Sequence, residues 1–247
     1  MSRVELRLLG TGDAFGSGGR LQTCFHLSGA GGALLLDCGA TALIALQCAG
    51  LDPNRIGWVL LTHLHGDHFG GLPFFILDAQ FNSHRTQPLI IAGPPGVAAR
   101  LEATMEALYP GSAAKQRKFE TSCVELQPRQ PAEVGPARVT PYPVAHPSGA
   151  PAYALRVEYG SKVVAYSGDT EWTEALVEAA RGADLFLCEC CFLEPKARYH
   201  LDYQTLKEKR PLLDCRRLLL THLGKEMHEH LKEIEFEVAV EGQLIVL

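Results

Sequence analysis

Hydrophobic positions in the first part of the chain come in short runs broken by glycine. Val4–Leu9, Cys24–Leu27 and Ala33–Asp37 read as strands separated by Gly-rich turns. "TALIALQCAG" then changes to helical spacing and stops at Gly50, a residue suited to a helix C-terminus. Trp58–Leu61 is a short apolar run with the look of a buried strand. "LPFFILDAQFNS" predicts a helix, "LIIAG" a strand, and "PPGVAARLEATMEALYP" a helix bounded by prolines, with Pro95 near its start. Strand-like stretches follow at Phe119–Leu126, Ala137–Val144, Tyr153–Val157 and Lys162–Tyr166. Next come a helix at Trp172–Ala180, a strand at Leu185–Cys188, a helix at Tyr203–Lys209 and a strand at Leu218–Thr221. "EFEVAV" and "QLIVL" close the chain as strands. Strands dominate each half and helices are interspersed. Two sheets face to face with helices outside would bury this pattern, which is a layered α/β sandwich. Periodicity alone does not fix the topology.

Composition narrows the classes. A chain of 247 residues can form one large layered domain, and the expectation is a single domain over residues 1–247. The formal net charge is −5 and no basic block occurs, which argues against an extended nucleic-acid surface. A small phosphate-bearing substrate remains compatible, because a metal can supply local positive charge. No apolar run reaches the ~18 to 20 residues of a membrane span. The start, "MSRVELRLLG", alternates like a strand and lacks the apolar stretch of a signal peptide. The expected location is therefore the cytoplasm, without membrane association. Eight cysteines in a chain this long do not make a disulfide framework.

The chemistry is concentrated in "THLHGDH", where His63, His65, Asp67 and His68 follow the apolar run Trp58–Leu61. Imidazoles two apart can converge on one ion, and the adjacent Asp67–His68 pair can serve a neighbouring point. A mixed histidine and aspartate set suits zinc, and also manganese or iron. An ordinary solvated loop rarely carries such a density of ligands. Three more strand ends offer polar residues: "PVAHPSG" with His146, "VVAYSGDT" with Asp169 and "LLLTHLG" with His222. Asp169 alone could instead cap the helix expected at Trp172. His228 and His230 lie in the charged stretch "GKEMHEHLKEIE" and read as solvated. His26 and His84 read as structural or exposed. "CECC" at 188–191 lacks a second cysteine pair at finger-like spacing, so it reads as a buried strand end.

"THLHGDHFGGLP", "AHPSG", "SGDT" and "THLG", in this order, resemble the metallo-β-lactamase superfamily over nearly the whole chain. The resemblance implies a four-layer αββα sandwich with two metal ions between the sheet edges. It implies His63, His65 and His146 on one ion, Asp67, His68 and His222 on the other, and Asp169 bridging them. "LLGTGDAFGSGGRLQT" and "LLLDCGAT" resemble the RNase Z-like branch. In that branch a strand-end glutamate and a histidine before a helix protonate the leaving oxygen of a phosphodiester; the matching positions are Glu189 and His200. The small hydroxyl residue that usually follows the histidine is replaced by Leu201-Asp202. RNase Z also carries a long tRNA-gripping arm between the ligand histidine and the bridging aspartate. Here that interval is the short "HPSGAPAYALRVEYGSKVVAYSGD", which argues against tRNA as substrate.

The expectation is hydrolysis of a small or cyclic nucleotide-like phosphodiester, with Asp67 orienting the nucleophile and a homodimer allowed for. A lactonase, a thioesterase or an arylsulfatase would use the same metal set. A β-lactamase is disfavoured by the missing secretion signal. A non-catalytic metal-bound binding protein is the contrasting class, and the full ligand set argues against it.

Overall fold

The computed structural model describes residues 3–247. Strands β1 (Glu5–Gly10), β2 (Cys24–Gly29), β3 (Gly32–Leu36), β4 (Ile56–Leu60), β5 (Leu89–Gly93) and β6 (Thr121–Glu125) build the first sheet. Strands β7 (Ala132–Val134), β8 (Ala137–Pro143), β9 (Tyr153–Tyr159), β10 (Lys162–Tyr166), β11 (Leu185–Glu189), β12 (Leu218–Thr221) and β13 (Glu237–Val238) build the second. The last strand, β14 (Leu244–Val246), returns to the first sheet and pairs antiparallel with β1. The orders are β14-β1-β2-β3-β4-β5-β6 and β13-β12-β11-β10-β9-β8-β7. The helices are α1 (Ala42–Cys48), α2 (Gly66–Phe69), α3 (Leu72–Phe81), α4 (Val97–Leu108), α5 (Glu174–Ala180), α6 (Tyr203–Lys209) and α7 (Lys225–Glu229).

Alternation along the strands makes the layers, because successive side chains point to opposite faces. In β3, Leu34 and Leu36 face the second sheet, while Leu35 joins Leu46, Leu72 and Ile76 under α1 and α3. In β11, Leu185 and Leu187 face the first sheet, while Phe186 and Cys188 meet Leu176 and Leu206 from α5 and α6. The result is the expected αββα order of layers. A one-residue slip in either strand would put its apolar set on the wrong face.

Both sheets mix pairing types in a way that places the site. β3, β4, β5 and β6 run parallel, and so do β10, β11, β12 and β13. Parallel neighbours end on one side, so Asp37, His63, Asp169, Glu189 and His222 all leave carboxyl ends of strands along one rim. Sites in open α/β sheets occupy this position.

Most elements lie where the sequence pattern puts them, and the differences have local causes. β7 is only three residues long, too short to show a period. α7 buries only Met227 and is otherwise polar, so its pattern reads as a solvated segment. The strand expected at "EFEVAV" shrinks to Glu237–Val238. His65–Phe69, read as a turn, contains the one-turn helix α2, with Phe69 N–H donating to His65 O at 2.9 Å.

Candidate metal centre

The histidine cluster is anchored before it reaches any ion. Asp37, the residue after β3, is fully buried and in the left-handed region at φ 56°. Its Oδ1 accepts from Thr62 N–H at 2.8 Å, and its Oδ2 accepts from Thr62 Oγ1–H at 2.8 Å. The same Oδ2 lies 2.7 Å from His68 Nδ1. A carboxylate oxygen only accepts, so His68 carries its proton on Nδ1 and turns the Nε2 lone pair inward. The Thr62 hydroxyl hydrogen is spent on Asp37, so this oxygen accepts from His63 Nδ1 at 3.0 Å. His63 Nε2 is thereby also left as a lone pair. His146 Nδ1–H donates to Tyr199 O at 3.0 Å, with the same consequence for its Nε2. Outer partners of this kind fix the tautomer of metal-binding histidines.

The inward atoms form two groups. His63, His65 and His146 each offer one ligand atom, all within 4.8 Å of one another. Asp67, His68, Asp169 and His222 form the second group by the same measure. Asp169 stands between them: its Oδ2 is 3.8 Å from both His63 Nε2 and His146 Nε2, and 3.4 Å from His222 Nε2. Its Oδ1 is 3.1 Å from His68 Nε2. All seven residues expected from the sequence are therefore brought together. Asp169 does not cap the following helix, which starts at Glu174 behind Thr173.

The donor set fits divalent cations. His63 Nε2, His68 Nε2 and Asp169 Oδ1 are buried without a hydrogen-bond partner. His68 Nε2 is nevertheless close to Asp169 Oδ1 and, at 3.3 Å, to Asp67 Oδ2. A lone pair set against two carboxylate oxygens is repulsive unless a cation lies between them. Without metal, the groups compensate by shifting their proton affinities. Burial opposes charge on His68, but the Asp169, Asp37 and Asp67 carboxylates outweigh it and hold its pKa well above the usual range. Burial likewise opposes charge on Asp169, while His222 and His68 hold its carboxyl well below that of an ordinary carboxylate.

Local backbone makes the close approach possible. Gly71 N–H donates to Cys38 O at 2.8 Å, and a Cβ on Gly71 would stand 2.2 Å from Gly39 O. The second glycine of "HFGG" thus lets the histidine segment lie on the Asp37 loop. His222 sits at φ 56°, a strained position for a histidine and one that accumulates at functional sites.

Beside the ligands stands the expected glutamate–histidine pair. Glu189 ends β11, is fully buried, and accepts from the amides of Thr170 and Leu201. Its oxygens lie 3.2 and 3.3 Å from His200 Nδ1. Burial works against charge on His200, but Glu189 outweighs it and raises the imidazole pKa. One ligand atom of His200 lies within 4.8 Å of those of His146 and Asp169.

The interval from His146 to Asp169 is filled by the β9–β10 hairpin, with no inserted arm. Residues 4–245 match the family described as anti-Pycsar protein Apyc1. The chain belongs to the Apyc1 family. Ribonuclease Z of Agathobacter rectalis is 25% identical over 276 residues, covering 91% of this chain and 89% of its own. Among solved structures, the short form of human tRNase Z superposes with a TM-score of 0.79 at 25% identity, covering 98% of each chain. The metallo-β-lactamase fold protein YhfI from Bacillus subtilis superposes with a TM-score of 0.77 at 23% identity, covering 99% of this chain and 100% of its own. This Apyc1-family chain is a metal-dependent hydrolase of the metallo-β-lactamase fold.

Sequence reasoning missed two residues of the centre. Asp37 lies inside "LLLDCGAT", where the only signal the sequence offers is a lone aspartate closing an apolar strand. By sequence Cys191 belongs to a buried strand end, and Cys188 and Cys190 do lie in the core. The Cys191 sulfur, however, lies within 4.8 Å of ligand atoms of His200 and His222. His228 is half-buried rather than solvated, because its ring covers Gly18 of the Gly-rich loop, where a Cβ would come within 2.9 Å. His26 is buried on β2 and His84 is exposed. No helix among the described residues is long and apolar enough to cross a membrane.

Proposed function

We propose that this protein hydrolyses a small phosphodiester of the cyclic-nucleotide kind, as a single catalytic unit over residues 1–247. One observation carries the reading: a histidine held by a buried carboxylate sits beside the ligand cluster without being needed to complete it. A bare hydrolytic metal site serves thioesters and aryl sulfates, whose thiolate and phenolate leave without a proton; a lactone also releases an alkoxide and is set aside on the family's description. A fixed proton donor matters most where the leaving group is a basic alkoxide. The family's anti-Pycsar description fits a hydrolase that degrades cyclic nucleotides. The short β9–β10 hairpin and the absence of a basic block speak against a tRNA substrate.

In this reading His63, His65 and His146 would hold one divalent ion and Asp67, His68 and His222 a second, with Asp169 available to both. Zinc suits the donors, and manganese and iron are compatible. The chemistry that bound ions supply is acidification of water and neutralisation of charge on phosphate oxygens. Asp67 accepts a hydrogen bond from the attacking water and sets its direction. A new bond forms from that oxygen to phosphorus as the bond to the leaving oxygen breaks, and the proton the water gives up passes to solvent, from which His200 is later reprotonated. His200 Nε2 passes its proton to the leaving oxygen, and Glu189 stabilises the imidazolium beforehand and fixes the ring.

The test compares His200→Ala with the parent on two diesters at matched metal content. With an alkoxide leaving group, turnover should fall about 10²- to 10⁴-fold. A nitrophenolate leaves with little protonic help, so its loss should be much smaller. Equal losses on both, or loss of metal from the variant, would remove the proton-donor role.

A further inference from the structure

The run "CECC" at 188–191 brings Glu189 to the proton donor and leaves three thiols without a role. Side chains alternate along and just past β11, so the cysteines divide. Cys188 and Cys190 enter the core under α5 and α6, whereas Cys191 turns to the rim with Glu189. Backbone bonds fix what stands around Cys191. Cys190 N–H donates to Thr221 O at 3.0 Å, and Gly224 N–H donates to Cys191 O at 3.0 Å, which seats Cys191 against the end of β12. Cys191 N–H donates to Leu201 O at 3.0 Å, which seats it against the segment that carries His200. A Cβ on Gly224 would stand 2.5 Å from Cys191 O and 3.3 Å from its sulfur, so the glycine makes room for this approach.

Three donors meet at this point. One ligand atom each of Cys191, His200 and His222 lie within 4.8 Å of one another. Among the described residues this is the only such group that contains a thiol. His200 turns Nδ1 to Glu189, which leaves Nε2 as its free nitrogen. His222 Nε2 faces Asp67 and Asp169, at 3.2 and 3.4 Å, while its Nδ1 is buried without a hydrogen-bond partner. His63, His68 and His146 each have an oxygen on Nδ1; His222 has none. A buried nitrogen left without a partner calls for an explanation, and an ion held with the neighbouring thiol supplies one. His200 also lines an open cavity of about 480 Å³, which gives an ion a way in from solvent. Thiolate sulfur selects soft cations, and imidazole serves many of the same ions. The two ligand groups of the centre hold only nitrogen and oxygen donors.

We propose that Cys191, His200 and His222 form a further metal site, which takes a soft, thiophilic cation and silences the hydrolase by occupying its proton donor. The thiol gives up its proton to solvent as the sulfur–metal bond forms. His200 Nε2 then carries the cation in place of a proton. A neutral imidazole has one lone pair, so His222 serves this ion through Nδ1 only by keeping its proton on Nε2, towards Asp67, and leaving the second ligand group. The loss of activity rests on the phosphodiesterase reading above; the binding of the cation does not.

The test titrates cadmium chloride into the zinc-loaded protein and into its Cys191→Ser, Cys191→Ala and His200→Ala variants. Binding is read from the thiolate-to-cadmium charge-transfer band in the ultraviolet. Diester hydrolysis is followed in parallel, each protein against its own cadmium-free rate. The parent should develop the band at the lowest cadmium additions, and its activity should fall along the same curve. Both cysteine variants should lose that band. They should need at least about 10- to 100-fold more cadmium for the same inhibition, the range that loss of even an outer partner of a metal ligand causes. His200→Ala should keep the band with its affinity weakened by a similar factor. A parent without the band, or inhibition unchanged in both cysteine variants, would place cadmium on the catalytic ligands alone and overturn the site. A band of unchanged affinity in His200→Ala would overturn it as well, since the imidazole would then not be a ligand. If the parent hydrolyses no diester, the phosphodiesterase reading falls, and the band alone decides whether the site exists. Two cysteine variants keep the comparison usable if one of them does not fold.

Discussion

Asp37 touches no substrate and is in neither proposed ligand set, yet its replacement by asparagine should strip metal from the centre. The side chain is isosteric, so the change is confined to hydrogen. If the amide oxygen stays opposite Thr62 N–H, the NH₂ group takes the place of Oδ2. It then points donors at His68 Nδ1 and at the Thr62 hydroxyl, the two groups that now donate to Oδ2 at 2.7 and 2.8 Å. His68 must accept at Nδ1 and move its proton to Nε2. The Thr62 hydroxyl must turn towards His63 Nδ1, and His63 follows. Both imidazoles then present N–H groups where they presented lone pairs. The opposite amide orientation sets the NH₂ against the Thr62 amide and leaves a buried donor unpaired, at a cost of about 1–3 kcal/mol. Losing an outer partner of one ligand typically lowers metal affinity about 10- to 100-fold, or roughly 1.4–2.7 kcal/mol. The ion next to His68 should suffer at least this. Competition with a chromophoric chelator measures both affinities, and thermal melts at saturating metal check the fold. Unchanged affinity for both ions in a folded Asp37→Asn variant would refute the tautomer argument.

Chelation should lower the melting temperature and added zinc should restore it, because the carboxylates and orphaned nitrogens lose their cation; at 100 Kd of free ion the expected gain is about 2.7 kcal/mol, and a melt indifferent to chelator would contradict the proposed centre. Glu189→Gln should cost stability of about 1–3 kcal/mol by facing an NH₂ to Thr170 N–H or Leu201 N–H, and denaturant titration at constant metal content checks it; a melt as stable as the parent's would show that the pocket rearranges. Gly71→Ala should destabilise by at least about 1–3 kcal/mol, since the added methyl meets backbone and not a flexible side chain, a loss readable by the same titration.

Much of this arrangement is legible in the chain because two signals coincide. Apolar runs mark the strands of β4, β10 and β12, and a ligand-type residue stands just past each end. His63, Asp169 and His222 could be picked out in that way, and the structure brings them to one rim. The density of "HLHGDH" made the cluster visible without any fold. What stayed hidden depends on contacts between distant segments. Asp37 becomes meaningful only when β3 and β4 lie side by side, since its partners are 25 and 31 positions away. Cys191 sits in a cysteine-rich stretch whose neighbours are core residues, so only the placement of His222 across from it sets it apart. The short β7 and α7 lack enough periods to register at all.

The residues of the centre are drawn from both halves of the chain, one set from the first sheet's loops and one from the second's. Asp67 and His222, 3.2 Å apart, are separated by 155 positions. Such contacts form late, because loop closure over long separations must be offset before they stabilise anything. A chain emerging from the ribosome therefore carries the histidine-rich segment for some time without the partners that complete it. During synthesis His63, His65 and His68 stand without His146, Asp169, His222 or the Glu189–His200 pair beside them. A chain holding only residues 1–145 thus lacks His146, Asp169 and His222, and can complete neither of the two ligand groups.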